Sequence, residues 1–100
     1  MGSEQKVVVI TGAGQPNGIG AGIARCFSNE SFKVVITDLD GAPVEDTLAS
    51  IPGDVTSMIA DASSQEAMQQ AADEIIDKHG RLDVLVNNAG IGGPKLGGPN

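Results

Sequence analysis

The chain contains no tyrosine and no tryptophan, and only 2 phenylalanines. Chemistry that runs through a phenol is therefore not carried by these 100 residues. There is 1 cysteine, Cys26, so no disulfide can close within the chain. A reducing, cytoplasmic setting fits that cysteine usage. Basic residues are scarce: 6 Lys and Arg stand against 13 Asp and Glu, a net charge of −7. Nucleic acid and anionic membrane surfaces both require a basic patch, so neither is expected as a partner. The acidic balance reads as solubility. No apolar run approaches the span of a membrane helix. No basic stretch followed by an apolar run marks a signal peptide near Met1. The one histidine, His79, has no second ligand at metal spacing, and no metal is expected.

What the chain does have is concentrated near its start. Val7 to Thr11 is a run of β-branched residues, and it stops at a glycine-rich turn that opens into an amphipathic segment. A buried strand, a glycine turn and a helix begin a dinucleotide-binding βαβ unit. Gly12 can turn the chain as it leaves the strand. Gly18 lets a phosphate lie close to the backbone, and Gly20 lets the helix pack tightly on the sheet. The free N–H groups of the first helical turn, with the positive end of the helix dipole, suit a pyrophosphate.

Strand and helix signals then alternate. The first helix is expected from about Gly18 to Asn29, with Ile19, Ile23, Cys26 and Phe27 on its apolar face. The second strand runs from Lys33 to Asp38. A short helix starting at Pro43 follows, with Val44, Leu48 and Ile51 apolar. The third strand spans Val55 to Ala60. The third helix has Ser63 and Glu66 as a capping-box pair, a stripe of Met68, Ala71, Ala72, Ile75, Ile76 and His79, and Gly80 as its C-terminal cap. His79, ending that helix, carries a partial positive charge suited to the dipole. The fourth strand is Leu82 to Asn87. Right-handed crossovers place these strands in the order 3-2-1-4, all parallel. The fold class is therefore α/β, a Rossmann-like doubly wound parallel sheet. The last residues, 94–100, are rich in Gly and Pro and read as a loop or tail, leaving 1–93 as the folded unit.

Four features taken together go further: Thr11-Gly12 with Gly18-Ile19-Gly20, Asp38 at the end of the second strand, Asp61 after the third, and Asn87-Asn88-Ala89-Gly90 after the fourth. With them the chain resembles the N-terminal, cofactor-binding half of a short-chain dehydrogenase/reductase, from Lys6 to about Gly93. The family's turn reads Thr-Gly-x-x-x-Gly-x-Gly. Here five residues, Ala13 to Asn17, separate Gly12 from Gly18. The longer loop is either a solvent-facing bulge, which Pro16 and Asn17 favour, or a loop rising over the cofactor phosphates.

The resemblance implies an NAD-dependent alcohol or carbonyl oxidoreductase. It implies cofactor contacts at Gly12, Asn17, Gly18, Ile19, Gly20, Asp38, Leu39, Asp61, Ala62, Asn88, Ala89 and Gly90. A carboxylate at Asp38 accepts hydrogen bonds from the adenosine ribose and repels a 2′-phosphate, which selects NAD over NADP. Asp61 is either the adenine contact or a charge that helps start the third helix. Asn87 is a structural amide. The family's proton donor lies in a Tyr-x-x-x-Lys pattern, and neither it nor the accompanying Ser has a counterpart here. No catalytic residue is assigned, and the chain reads as a truncated half that is inactive alone. Its expected partners are NAD, a missing C-terminal half, and a second copy recruited through the bare edge of the fourth strand. The alternative is a non-catalytic nucleotide-binding or assembly module. S-adenosylmethionine methyltransferases also place glycines and an acid in these positions, but Asn-Asn-Ala-Gly argues against them.

Overall fold

The computed structural model describes residues 5–88. Ala89, Gly90 and the expected tail at 94–100 lie outside the described residues. The elements follow in the order β1 (Val7–Thr11), α1 (Ile19–Asn29), β2 (Lys33–Asp38), α2 (Val44–Ser50), β3 (Val55–Ile59), α3 (Gln65–His79) and β4 (Val84–Val86). All pairings are parallel, in the order β3-β2-β1-β4 that the alternation predicts.

The burial of the two central strands explains their sequence. Every residue of β1 is buried, as are the first five of β2. A parallel sheet is covered on both faces by its crossover helices, so its inner strands are continuous apolar runs. Val8, Ile10, Val34 and Ile36 face α1 and α2, where Ile23, Ala24, Phe27 and Leu48 meet them. Val7, Val9 and Val35 face α3 and pack on Ile75. Each such side chain contributes about 1.5–3 kcal/mol through burial. Phe27 and Phe32 meet edge to face at 4.9 Å on the first side. At the edges the pattern weakens: β3 has no fully buried residue, and Leu85 of β4 is 57% exposed.

Three details depart from the sequence reading. First, α1 docks through Gly20, Ala21 and Ala24, while Ile19 is 72% exposed and Cys26 is exposed. The small residues let the helix approach the sheet, which rotates Cys26 out of the core where it was expected. Second, the cap of α3 is Ser64, whose hydroxyl accepts from Ala67 N–H at 3.1 Å. Ser63 is taken instead by Asp61, which accepts from both its N–H (2.9 Å) and its hydroxyl (2.6 Å). An Asx turn thus precedes the helix and moves the cap one residue on. Third, desolvation and the nearby Lys33 and Lys78 hold the His79 pKa below its ordinary value. The neutral form is favoured, and Lys78 is left as the cation of the last turn.

The start of β4 is pinned by a contact that the pattern did not reveal. Asp83 N–H donates to Val7 O at 2.9 Å, and Val7 N–H donates back to Asp83 Oδ2 at 2.8 Å. Arg81 grips the same carboxylate through Nε (2.8 Å) and a terminal nitrogen (2.7 Å). These bonds, Arg81 foremost, lower the Asp83 pKa from 3.8. A depressed carboxylate pKa means that the unfolded chain binds the proton first on acidification. The contribution of Asp83 is therefore fully present above the unfolded value of 3.8 and is lost as pH falls through the lower folded value. Urea midpoints measured from pH 6 downward should fall in that window, and the fall should be shallower in Asp83→Asn. Parallel curves for the two proteins would contradict this assignment.

Candidate functional site

The loops that follow β1, β2 and β3 meet at the carboxyl ends of the strands. Gly12 leaves β1 with φ +64°, a left-handed conformation. The next two residues are strapped to β2: Ala13 N–H donates to Thr37 O at 3.0 Å, and Gly14 N–H donates to Asp38 Oδ2 at 2.8 Å. The other oxygen of Asp38 accepts from Leu39 N–H at 2.8 Å. Each carboxylate oxygen retains a further lone pair for a hydroxyl donor. The side of Gly14 is closed: a Cβ there would lie 2.8 Å from both Asp38 Cβ and Oδ2 and 3.0 Å from Ala42 Cβ.

The longer loop takes up its extra length in a tight turn. Gly18 N–H donates to Gln15 O at 3.0 Å, with Pro16 and Asn17 at the centre. Gly18 then caps α1 without any side-chain bond, and the first turn carries no acidic residue. The N–H groups of Ile19 and its neighbours are the positive end of the helix dipole. Gly20 faces the turn itself, since a Cβ there would meet Asn88 Nδ2 at 2.8 Å and Ala13 Cα at 2.9 Å.

A cleft of about 350 Å³ opens beside this turn, lined by Gly12, Asp38, Leu39, Ala60, Asp61, Ala62, Ser63 and Asn87. Its volume falls in the range of small-molecule sites, roughly 300–1,000 Å³. Five residues singled out from the sequence line it: Gly12, Asp38, Leu39, Asp61 and Ala62. Asn17, Gly18, Ile19 and Gly20 lie on the turn and the start of α1, outside this lining. Ala89 and Gly90 lie outside the described residues. Both asparagines bond to the end of β1 and its turn. Asn87 lines the cleft, with its Oδ1 accepting from the Thr11 hydroxyl at 3.3 Å. Asn88 instead donates from Nδ2 to Gly12 O at 3.1 Å and braces the turn. Asp61 is exposed, and its bonds to Ser63 keep its carboxyl below the usual aspartate range. It is ionised at neutral pH.

Charge is segregated along the strand axis. Lys6 and Lys33 stand at the amino ends of β1 and β2, Lys78 ends α3, and Arg81 precedes β4. Arg25 reaches Ser50 at the C-terminal end of α2. Helices in such crossovers run back against the strands, so all five basic side chains among the described residues sit at the end remote from the cleft. The cleft end holds Asp38, Asp40 and Asp61.

Two structural residues escaped the sequence reading. Gly14 seemed only part of a loop, and only the position of Asp38 reveals its role. Thr47 is fully buried, and its hydroxyl donates to Gly14 O at 2.8 Å. The sequence did carry a signal for it. Val44, Thr47, Leu48 and Ile51 form an i, i+3, i+4, i+7 stripe in which Thr47 is the polar member.

A family model described as short chain dehydrogenase matches residues 6–97. Meso-2,3-butanediol dehydrogenase from Serratia marcescens is 44% identical over 89 residues, covering 88% of this chain and 35% of that protein. The 7alpha-hydroxysteroid dehydrogenase of Escherichia coli is 39% identical over 93 residues, covering 90% of this chain and 36% of its own. The chain thus spans about a third of the length of these relatives. Among solved structures, a short chain dehydrogenase from Mycobacterium smegmatis superposes with TM-score 0.77 at 39% identity, covering 89% of this chain and 38% of that one. A metagenomic short-chain oxidoreductase in complex with NADP gives TM-score 0.73 at 38% identity, with coverages of 90% and 42%.

The close approach at Gly14 sets a measurable cost. Gly14→Ala is expected to lower stability by about 1–3 kcal/mol, the usual range for overpacking, read as a shift in urea midpoint. In an Asp38→Gly background the same substitution should cost less, because the colliding Cβ and carboxylate are gone. Equal costs in both backgrounds would contradict the contact.

Proposed function

The chain belongs to the short-chain dehydrogenase family, and on that premise we propose that it is the NAD-binding portion of an NAD-dependent alcohol or carbonyl oxidoreductase. The observation that carries this reading is Asp38, poised at the strand end in a region without a cation among the described residues. In this reading both ribose hydroxyls donate to the Asp38 carboxylate. A 2′-phosphate there would meet a fixed negative charge with no basic side chain among the described residues to neutralise it. Leu39, 56% exposed in the cleft wall, offers the adenine an apolar surface. Asp61 accepts from the adenine amino group, and Ala62 supplies a backbone contact. Gly12, Asn17, Gly18, Ile19 and Gly20 form the pyrophosphate cradle. Asn88 acts by holding Gly12 in place, and Ala89 and Gly90 border the cofactor.

The group fits the residues present: a carboxylate for a diol, an apolar wall for a purine, and an uncapped helix end for a diphosphate. When bound, the nicotinamide accepts or gives the hydride. These 100 residues contain no tyrosine, so the proton donor of the family is not among them. Alone they bind without turnover. Relatives named for a butanediol and a hydroxysteroid support an alcohol or carbonyl as the substrate class. The single cysteine fits a cytoplasmic setting, and no helix among the described residues is long and apolar enough to cross a membrane.

A second reading, an assembly module, draws on β4. Leu85 is exposed on a strand that pairs with β1 on one side only among the described residues. Such an edge pairs with further strands of the same chain or with a second copy. Sedimentation equilibrium of the 100-residue chain is expected to show association that grows with concentration. A strict monomer at high micromolar concentration would rule out the second copy.

Calorimetric titration tests the cofactor assignment. NAD should bind more tightly than NADP, and Asp38→Ala should narrow the gap by about 1–3 kcal/mol, the value of a lost charged hydrogen bond. Added salt should narrow it as well, since the repulsion is screened. Tighter binding of NADP by the unmodified chain would overturn the reading.

A further inference from the structure

We infer that Thr47, which does not line the cleft, is a positioning residue for cofactor selection, acting through Gly14 on Asp38. The inference rests on the reading of Asp38 given above and extends it to a residue on a different element.

Asp38 is half-buried at the end of β2, and its orientation depends on what holds it. One oxygen is held by Leu39 N–H, a bond to its own neighbour. The other is held by Gly14 N–H at 2.8 Å, a bond across the fold from the β1–α1 turn. That second bond sets which face of the carboxylate is offered to the cleft. It requires Gly14 to keep its N–H aimed at β2.

Gly14 has no side chain to restrain it, and glycine has the widest backbone freedom of any residue. Its neighbours must supply the restraint. On the N-terminal side, Ala13 N–H is tied to Thr37 O at 3.0 Å. On the C-terminal side, Gly14 O accepts the Thr47 hydroxyl at 2.8 Å. Thr47 is well placed to anchor it, because its side chain is fully buried in α2 and is β-branched, with few rotamers. Its other acceptor, Pro43 O at 3.4 Å, is the weaker one. The bond to Gly14 is buried, where a hydrogen bond is strong and its loss leaves an orphaned carbonyl. The chain Thr47 hydroxyl, Gly14 backbone, Asp38 carboxylate therefore runs from the core to the rim of the cleft through two bonds of 2.8 Å. A threonine used only for packing would be served equally by valine. A threonine used as this strap would not.

Two variants of the full chain separate these roles. Thr47→Val keeps the shape and removes the hydroxyl, while Thr47→Ser keeps the hydroxyl and trims a methyl. The first readout needs no cofactor: amide hydrogen exchange at Gly14 by NMR. Its protection should drop about tenfold in Thr47→Val and be retained in Thr47→Ser, after correction for any change in global stability. The second readout is the ratio of NAD to NADP affinity. It should fall roughly three- to tenfold in Thr47→Val and be kept in Thr47→Ser, the span of one modest hydrogen bond. Undiminished Gly14 protection in Thr47→Val overturns the inference. So does a lost strap with an unchanged cofactor ratio. If the unmodified chain itself shows no preference for NAD, the reading of Asp38 has failed, and the Gly14 exchange alone then decides whether Thr47 holds the turn.

Discussion

The structure depends first on the burial of β1 and β2 on both faces. Two adjacent strands that are apolar on each side must be covered twice, and one short chain can do this only by crossing over with helices between parallel strands. The parallel pairing of β1 with β2, from Val7↔Lys33 to Thr11↔Thr37, follows from that sandwiching. So does the position of the functional candidates among the described residues. Parallel strands with return helices bring all the strand-to-helix loops to one end. Gly12, Asp38 and Asp61 are far apart in sequence and share one cleft for that reason.

Within that end, the glycine turn is built as a joint rather than as an open loop. β2 holds Ala13 and Gly14, α2 holds Gly14 again through Thr47, and Asn88 holds Gly12. A binding surface made of backbone needs this kind of support, because glycines supply proximity without rigidity. The same arrangement gives Gly20 its reason. The start of α1 can seat on the turn only where no Cβ intervenes. Charge completes the site: among the described residues the cations sit at the far end of the strands, and the cleft end holds Asp38, Asp40 and Asp61 beside the dipole of α1.

Much of this was legible in the residues. The strands announce themselves through β-branched runs, the crossovers follow from alternation, and Asp38 is identified by its distance from the turn. What escaped was decided by contacts between elements. Periodicity put Cys26 and Ile19 on the inner face of α1, but Gly20, Ala21 and Ala24 won that face because small residues permit closer docking than larger ones. Ser63 looked like a helix cap until Asp61 claimed it. Asn87 and Asn88 are indistinguishable by type, and only the path of the backbone after β4 decides which one braces the turn. Asp83 and Thr47 work through partners 76 and 33 residues away, a separation that no local pattern reports.

The central claim is that the adenosine half of a dinucleotide lies in the cleft between the ends of β1, β2 and β3. The most direct test is titration of the isotopically labelled chain with ADP-ribose, followed by two-dimensional amide NMR and intermolecular Overhauser contacts. The account predicts shifts centred on Gly12, Asp38, Leu39, Asp61 and Ala62, with contacts from the adenine ring protons to Leu39 and Ala62. Shifts centred instead on a second, apolar groove, which Met68, Ala72 and Ile75 of α3 line with Leu82 and Leu85, or no shifts at millimolar ligand, would contradict it.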